Sequence, residues 1–159
     1  MFRSLPPLAV FIGVIALIPA ILLGLTSLSA HPARAASSVQ LLVDYGAVIL
    51  SFLGAVHWGF TLGMEDDENS ATHARLVLGT VPAAIAFGAL VLLTWGTSDL
   101  ALATLVGGFA ITIIGETRAR RLNLVPAGYM ILRWVLTIAL EAVFIPVLVL
   151  HMIGAHILL

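Results

Sequence analysis

The sequence predicts an all-α integral membrane protein, a bundle of five transmembrane helices joined by short loops. Hydrophobic residues make up 61% of the chain and charged residues 9%, and the mean hydropathy is +1.15. Soluble domains contain about 45–50% apolar and about 25% charged residues. The apolar residues are also gathered into windows close to the ~20 residues that a helix needs to cross a bilayer.

Five such windows follow one another, each bounded by charges, Pro, Gly or Ser. We interpret residues 1–159 as a single polytopic membrane domain, with spans at about 5–25, 43–63, 76–96, 100–115 and 127–153. The first window can also be interpreted as a secretory signal peptide. Its apolar run of about twenty residues exceeds the ~7–15 of a signal sequence, so we expect this span to be retained.

The arginines predict the direction in which the chain crosses the membrane. With five spans, the N-terminus, the second loop and the fourth loop lie on one side, and Arg34 lies on the other. The arginines of the first side are Arg3, Arg75, Arg118, Arg120 and Arg121. Because cytoplasmic loops are enriched in basic residues, we expect the N-terminus inside and the C-terminus outside.

Small residues recur at every fourth position of the second span, a pattern typical of close helix packing. They are Ala47, Ser51, Ala55, Gly59 and Gly63. Gly107 and Gly108 lie in a similar row of the fourth span. Small side chains let helix backbones approach closely, and lipid provides no hydrophobic drive that would replace this contact. We therefore expect all seven residues to be helix-packing positions.

Polar side chains inside the spans are candidates for function. Arg133, Thr137 and Glu141 are spaced by four residues and share one side of the last helix. Glu141 lies near the middle of the bilayer, where an ionised carboxylate costs at least a few kcal/mol. It can be neutral, paired with a cation or reached by water. His57 has a depth between those of Arg133 and Glu141, so these side chains can form an inner polar cluster.

Asp44 and His151 lie near the outer interface and can form a second polar cluster. Asp44 can instead cap the second helix, where the positive end of the helix dipole favours a carboxylate. His57 and Trp58 can likewise be a buried hydrogen-bonding pair or interface anchors. The sequence leaves these alternatives open.

Several functional classes lack support. The absence of Cys excludes disulfides, thiolate metal sites and cysteine nucleophiles, and a net charge of −1 provides no general basic patch for nucleic acid. The chain has no phosphate loop, HExxH or nucleophile elbow. We predict no metal site, no cofactor and no catalytic residue, while an enzyme that acts on a lipid at the outer interface stays an alternative.

The stretch "YGAVILSFLGAVHWGF", with "IGVIALIPAIL" before it and "LRWVLT" after it, resembles the family catalogued as domain of unknown function 3429. That family includes bacterial inner-membrane proteins and the mitochondrial transmembrane protein 69 of animals. The resemblance covers nearly the whole chain, and it implies a multi-pass protein of the bacterial inner membrane whose first helix belongs to the mature fold. It implies no activity. The motif positions are Tyr45, Gly46, Ser51, Gly54, His57, Trp58 and Gly59.

These observations favour an accessory or scaffold subunit that lies in the lipid bilayer and packs against another membrane protein or a second copy. The alternative is a small proton-coupled carrier or channel that uses Glu141, with His57 and Arg133 tuning its protonation. A midplane carboxylate is by default a functional candidate in membranes.

Overall fold

The computed structural model describes residues 7–62, 70–122, 125 and 127–154, and no strand occurs among them. The helices are α1 (Pro7–Ile15), α2 (Leu17–Ser27), α3 (Pro32–Leu62), α4 (Ser70–Thr94), α5 (Ser98–Arg121) and α6 (Ala127–Met152). The first two together form one span, so five segments of the described chain are long and apolar enough to cross a membrane. The predicted all-α, multi-pass fold is confirmed.

The first span is broken between α1 and α2. Pro19 has no N–H with which to bond the carbonyl of Ile15, the last residue of α1. The break falls at Ala16, whose carbonyl accepts a hydrogen bond of 2.5 Å from the Tyr45 hydroxyl of α3. Pro82 and Pro146, in contrast, lie inside continuous helices. A side chain of α3 therefore contacts the junction of α1 and α2.

Two helices extend beyond the predicted spans. α3 begins at Pro32 and has 31 residues, because Pro suits the first turn of a helix and polar residues there remain helical. The Ser37 hydroxyl, for example, donates to the Ala33 carbonyl at 3.0 Å. α5 continues to Arg121 because Glu116, which ended the apolar window, is buried in the bundle.

α3 lies at the centre of the bundle, where it contacts α2, α4 and α5, while α6 packs on α5 and α2. A tight turn at Gly96 joins α4 to α5, with a positive φ of 77° that favours glycine. Large side chains with no exposed surface fill the centre, namely Leu42, Leu50, Leu102, Leu105, Phe109 and Phe144. Large apolar side chains also cover the outside of the bundle, as expected for a surface in contact with lipid.

Glycines allow the closest helix contacts. A Cβ added to Gly54 of α3 would lie 2.5 Å from the backbone oxygen of Gly79 in α4, and one added to Gly46 would lie 2.5 Å from the Phe144 ring. A Cβ on Gly108 would lie 2.8 Å from both Ile85 and Leu50. The α3–α4 separation therefore depends on the absence of a side chain at Gly54, and the place of the Phe144 ring depends on its absence at Gly46.

The residues of the two predicted small-residue rows differ in how closely they are packed. Ala47 is buried, Ser51 is half-buried and Ala55 is exposed. A Cβ on Gly59 or Gly107 would meet nothing within 4 Å, unlike one on Gly108. Gly63 lies outside the described residues. Gly46 and Gly54, one position before Ala47 and Ala55, make the close contacts instead.

We expect Gly54→Ala to lower the free energy of unfolding by about 1–3 kcal/mol, the usual cost of overpacking, because the new methyl group meets a backbone oxygen. The measurement is thermal unfolding in mild detergent, followed by loss of the native-size species. Gly59→Ala is the matched control on the same helix, and it should melt at or slightly above the wild-type temperature because Ala is the better helix former. Equal melting temperatures for the two variants would contradict this packing.

Candidate functional site

A buried polar cluster joins α3, α5 and α6. Its members are His57, Glu116, Arg133 and Thr137. Glu116 lies between the other two titratable groups, since its Oε1 is 2.9 Å from His57 Nε2 and its Oε2 is 2.7 Å from Arg133 Nε. Arg133 Nη1 donates to the Thr137 hydroxyl at 3.0 Å. One carboxylate therefore holds side chains from two other helices.

The polar cluster lies towards one end of the bundle. His57 and Glu116 are near the ends of α3 and α5, and Arg133 is near the start of α6. At 1.5 Å of rise per residue, each is about 7–9 Å from the end of its helix. The basic last turn of α5 lies at the same end. The predicted orientation places this end on the cytoplasmic side.

Charge pairing explains how such groups can be buried. His57 and Glu116 have no exposed surface and Arg133 is 1% exposed, and an unpaired charge in such a place is strongly destabilising. Here the guanidinium and the carboxylate neutralise each other. His57 can share a proton with Glu116, but neither side chain touches solvent in this conformation. The arrangement is therefore suited to holding helices rather than to rapid proton exchange.

Aromatic rings surround the imidazole. Phe60 meets the His57 ring edge to face with centroids 5.9 Å apart, and Tyr129 meets Phe60 in the same way at 5.4 Å. Tyr129 also lies within the electrostatic reach of Glu116 and Arg133. The ring of His57 is thereby fixed on its apolar side as well as at Nε2.

An apolar groove of about 360 Å³ lies beside the polar cluster, between α1, α3 and α6. Tyr129 and Arg133 form part of its wall, and the other lining residues are apolar, among them Ile12, Ile49 and Leu136. The groove therefore has an almost entirely apolar lining, with Arg133 of the buried ion pair in its wall.

The structure brings His57, Arg133 and Thr137 together, as we expected, but around Glu116 rather than Glu141. Sequence reasoning missed Glu116 because it precedes a run of arginines and was interpreted as part of a loop. One signal could have identified it. The buried residues of α5 recur every three or four positions, and Glu116 continues that row after Phe109 and Thr112.

Glu141 lies near the middle of α6, separate from the polar cluster. It is half-buried, and within the described part of the chain neither carboxylate oxygen has a hydrogen-bond partner. The side chains of His57 and Arg133 pair with Glu116 and not with Glu141. An ionised carboxylate without a partner is unfavourable in lipid, so Glu141 needs a proton, water or a group from another molecule.

The outer-interface candidates are also separated. His151 Nδ1 bonds the carboxylate of Asp99 at the start of α5, and both side chains are partly exposed. Asp44 lies about 18 Å along α3 from Pro32 by helical rise, so it does not cap that helix. It borders a cleft between α3 and α4. The structure thus pairs His151 with Asp99 instead of Asp44.

Two further motif positions of α3, Tyr45 and Trp58, contact other helices of the bundle. The Tyr45 hydroxyl donates to the carbonyl of Ala16, between α1 and α2. The indole of Trp58 lies against Gly79 and is 46% exposed. Among the described residues, no group of three His, Cys, Asp or Glu side chains is close enough to hold a metal ion.

Comparison with known proteins identifies a family. Residues 5–149 match the family model described as "Protein of unknown function (DUF3429)", which covers nearly the whole chain. No curated protein and no solved structure matches the chain. The description of the family states no activity, so the function must be argued from the geometry.

We expect Arg133→Met to lower the free energy of unfolding by about 3–5 kcal/mol, because it leaves the Glu116 charge buried without its guanidinium. The double variant Glu116→Met/Arg133→Met removes both charges and should be more stable than Arg133→Met alone. Thermal unfolding in detergent measures both. Arg34→Met, on the exposed first turn of α3, is the control. If Arg133→Met costs no more than this control, the ion pair does not hold the bundle.

Proposed function

Because the chain belongs to the DUF3429 family of proteins of unknown function, we propose from the structure that it is an accessory subunit of a membrane protein assembly. One observation carries this proposal. Ala55 and Gly59 of α3 are both exposed, and we call the surface that these two residues form the open face. A Cβ on Gly59 would meet nothing within 4 Å.

The open face has the chemistry of a helix-docking surface. Ala55 and Gly59 are four residues apart and therefore stack on one side of the helix. Small residues at this spacing let a second helix approach closely in lipid. A helical glycine also costs about 1 kcal/mol relative to Ala, and a close contact at Gly59 would offset that cost. We infer that a helix of another chain, or of a second copy, packs here.

The polar cluster supports this role because it fixes the helix that carries the open face. His57 is bonded to Glu116 two positions before Gly59, and Gly54 is packed against α4 one position before Ala55. The open face is thus presented by a helix whose position is set from inside the bundle. A rigid surface loses little conformational entropy when a partner binds.

We place the protein in the bacterial inner membrane, with the end that carries the polar cluster in the cytoplasm. The last turn of α5 supports this orientation, since it contains Arg118, Arg120 and Arg121. Basic residues next to a span favour the cytoplasmic side. The open face then lies in the cytoplasmic half of the bilayer.

A second candidate function is a proton-coupled carrier or channel that uses Glu141. The observation in its favour is that both carboxylate oxygens lack a hydrogen-bond partner in the described part of the chain, near the middle of a span. His57 and Arg133 do not tune this carboxylate directly, because both are bonded to Glu116.

For the accessory role, we expect Gly59→Leu and Ala55→Leu to abolish association with the partner while the isolated chain keeps its melting temperature. The measurement is native size and composition after extraction from the membrane in mild detergent. Gly88→Leu is the matched control, since Gly88 of α4 is equally open. If Gly59→Leu and Gly88→Leu give the same native species as the wild type, the open face is not the docking surface.

For the carrier role, we expect pH-dependent proton flux into liposomes, reduced to the level of empty liposomes by Glu141→Gln. The amide keeps the size of the side chain but cannot take up a proton. Asp99→Asn, which alters a carboxylate at the start of α5, should leave the flux unchanged. Equal flux in the wild type, Glu141→Gln and empty liposomes would exclude this function.

A further inference from the structure

We propose that a cleft beside Asp44 binds a primary ammonium group. The Asp44 cleft has a volume of about 630 Å³ and lies between α3, the end of α4 and the start of α5. Its lining residues are Ala36, Ser37, Gln40, Asp44, Leu90, Leu93, Thr94 and Ser98. The volume is within the ~300–1,000 Å³ typical of small-molecule sites. This site is independent of the open face and of Glu141.

The fold makes no use of the Asp44 carboxylate. Asp44 is well inside α3, so it is too far from Pro32 to stabilise the start of that helix. It is half-buried, and it forms no hydrogen bond or ion pair with the described residues. The neighbouring carboxylate of Asp99 is bonded to His151, and no basic residue lines the cleft. A carboxylate without an internal partner in a partly polar cleft is available to a cation from outside.

The other polar groups of the cleft are mainly acceptors. The Ser37 hydroxyl donates its proton to the Ala33 carbonyl at 3.0 Å, and the Thr94 hydroxyl donates its proton to the Val91 carbonyl at 2.7 Å. Both oxygens keep only lone pairs for a ligand. The Gln40 amide adds an oxygen acceptor next to its N–H donors, and the Ser98 hydroxyl also lines the cleft. A site of one carboxylate and several acceptors matches a cation with several N–H donors.

A primary ammonium meets this requirement best. It carries one positive charge and three N–H donors, whereas a quaternary ammonium has no N–H and cannot use the acceptors. A divalent metal prefers several charged oxygen ligands, and Asp44 is the one carboxylate that lines this cleft. Leu90 and Leu93 provide an apolar wall for the carbon atoms attached to the ammonium.

Such a group can come from two sources. The Asp44 cleft is formed by the end of α4 and the start of α5, so it lies towards an end of the bundle, where lipid headgroups are found. One source is therefore the headgroup of phosphatidylethanolamine. The other is a free alkylamine that enters from water. Both would place the ammonium against the carboxylate of Asp44.

The first arm of the experiment tests the lipid. Detergent-purified protein is mixed with equal amounts of phosphatidylethanolamine and phosphatidylcholine of the same acyl chains, and native mass spectrometry counts the lipids retained. We expect the wild type to prefer phosphatidylethanolamine about tenfold, which corresponds to one charge-assisted hydrogen bond. Asp44→Asn should lose this preference, and Asp99→Asn should keep it.

The second arm tests the free amine. Ethylammonium chloride is titrated into lipid-depleted protein, with tetramethylammonium chloride at the same ionic strength as the control, and the melting temperature is followed. We expect ethylammonium alone to raise the melting temperature of the wild type, and not that of Asp44→Asn. A response in this arm but not in the first assigns a soluble amine, and the reverse assigns the lipid.

The proposal is overturned if the wild type discriminates in neither arm, or if Asp44→Asn discriminates as the wild type does. The native size and melting temperature of Asp44→Asn without ligand show whether it folds. If it does not, Gln40→Leu serves instead, because Gln40 is exposed and its loss removes an acceptor without changing the charge. Gln40→Leu should weaken the preference for the primary ammonium, and an unchanged preference would count against the site.

Discussion

The carboxylate of Glu116 ties three helices together, and the arrangement of the bundle follows from what a buried charge requires. Apolar helices surrounded by lipid can slide along one another at little cost, because lipid solvates their side chains as well as a neighbouring helix does. An ion pair cannot slide in this way, since moving either partner by one turn leaves a charge alone in a medium of low dielectric constant. The contacts of Glu116 with His57 and Arg133 therefore set the register of α3, α5 and α6.

Glycines, together with the ion pair, fix the position of α3 in the bundle. Gly46 and Gly54 bring α3 against Phe144 and against the backbone of α4, so this helix is fixed from two sides. Its remaining surface near Gly59 is open, and the asymmetry is the main reason to regard the molecule as a component of something larger. The two proposed binding surfaces are also different in kind, since one offers small apolar residues to a helix and the Asp44 cleft offers oxygen atoms to a cation.

Much of this fold was predictable from the sequence, and the errors share one cause. Hydropathy marks where a helix can meet lipid, so the apolar windows located five spans but placed the start of α3 near Val43 instead of Pro32. The same criterion did not identify Glu116, because hydropathy assigns a buried carboxylate and a solvated carboxylate the same value. His57 and Arg133 were found because they interrupt apolar runs. That Gly54 is packed and Gly59 is open follows from the positions of neighbouring helices, which single-helix periodicity does not contain.

The hydrogen bond from Tyr45 to the Ala16 carbonyl has a consequence for how the chain is made. That bond joins the junction of α1 and α2 to α3, so the N-terminal segment lacks this contact when it leaves the ribosome. The residue that completes it is synthesised 29 positions later. The N-terminal crossing and α3 consequently reach their final geometry as a pair.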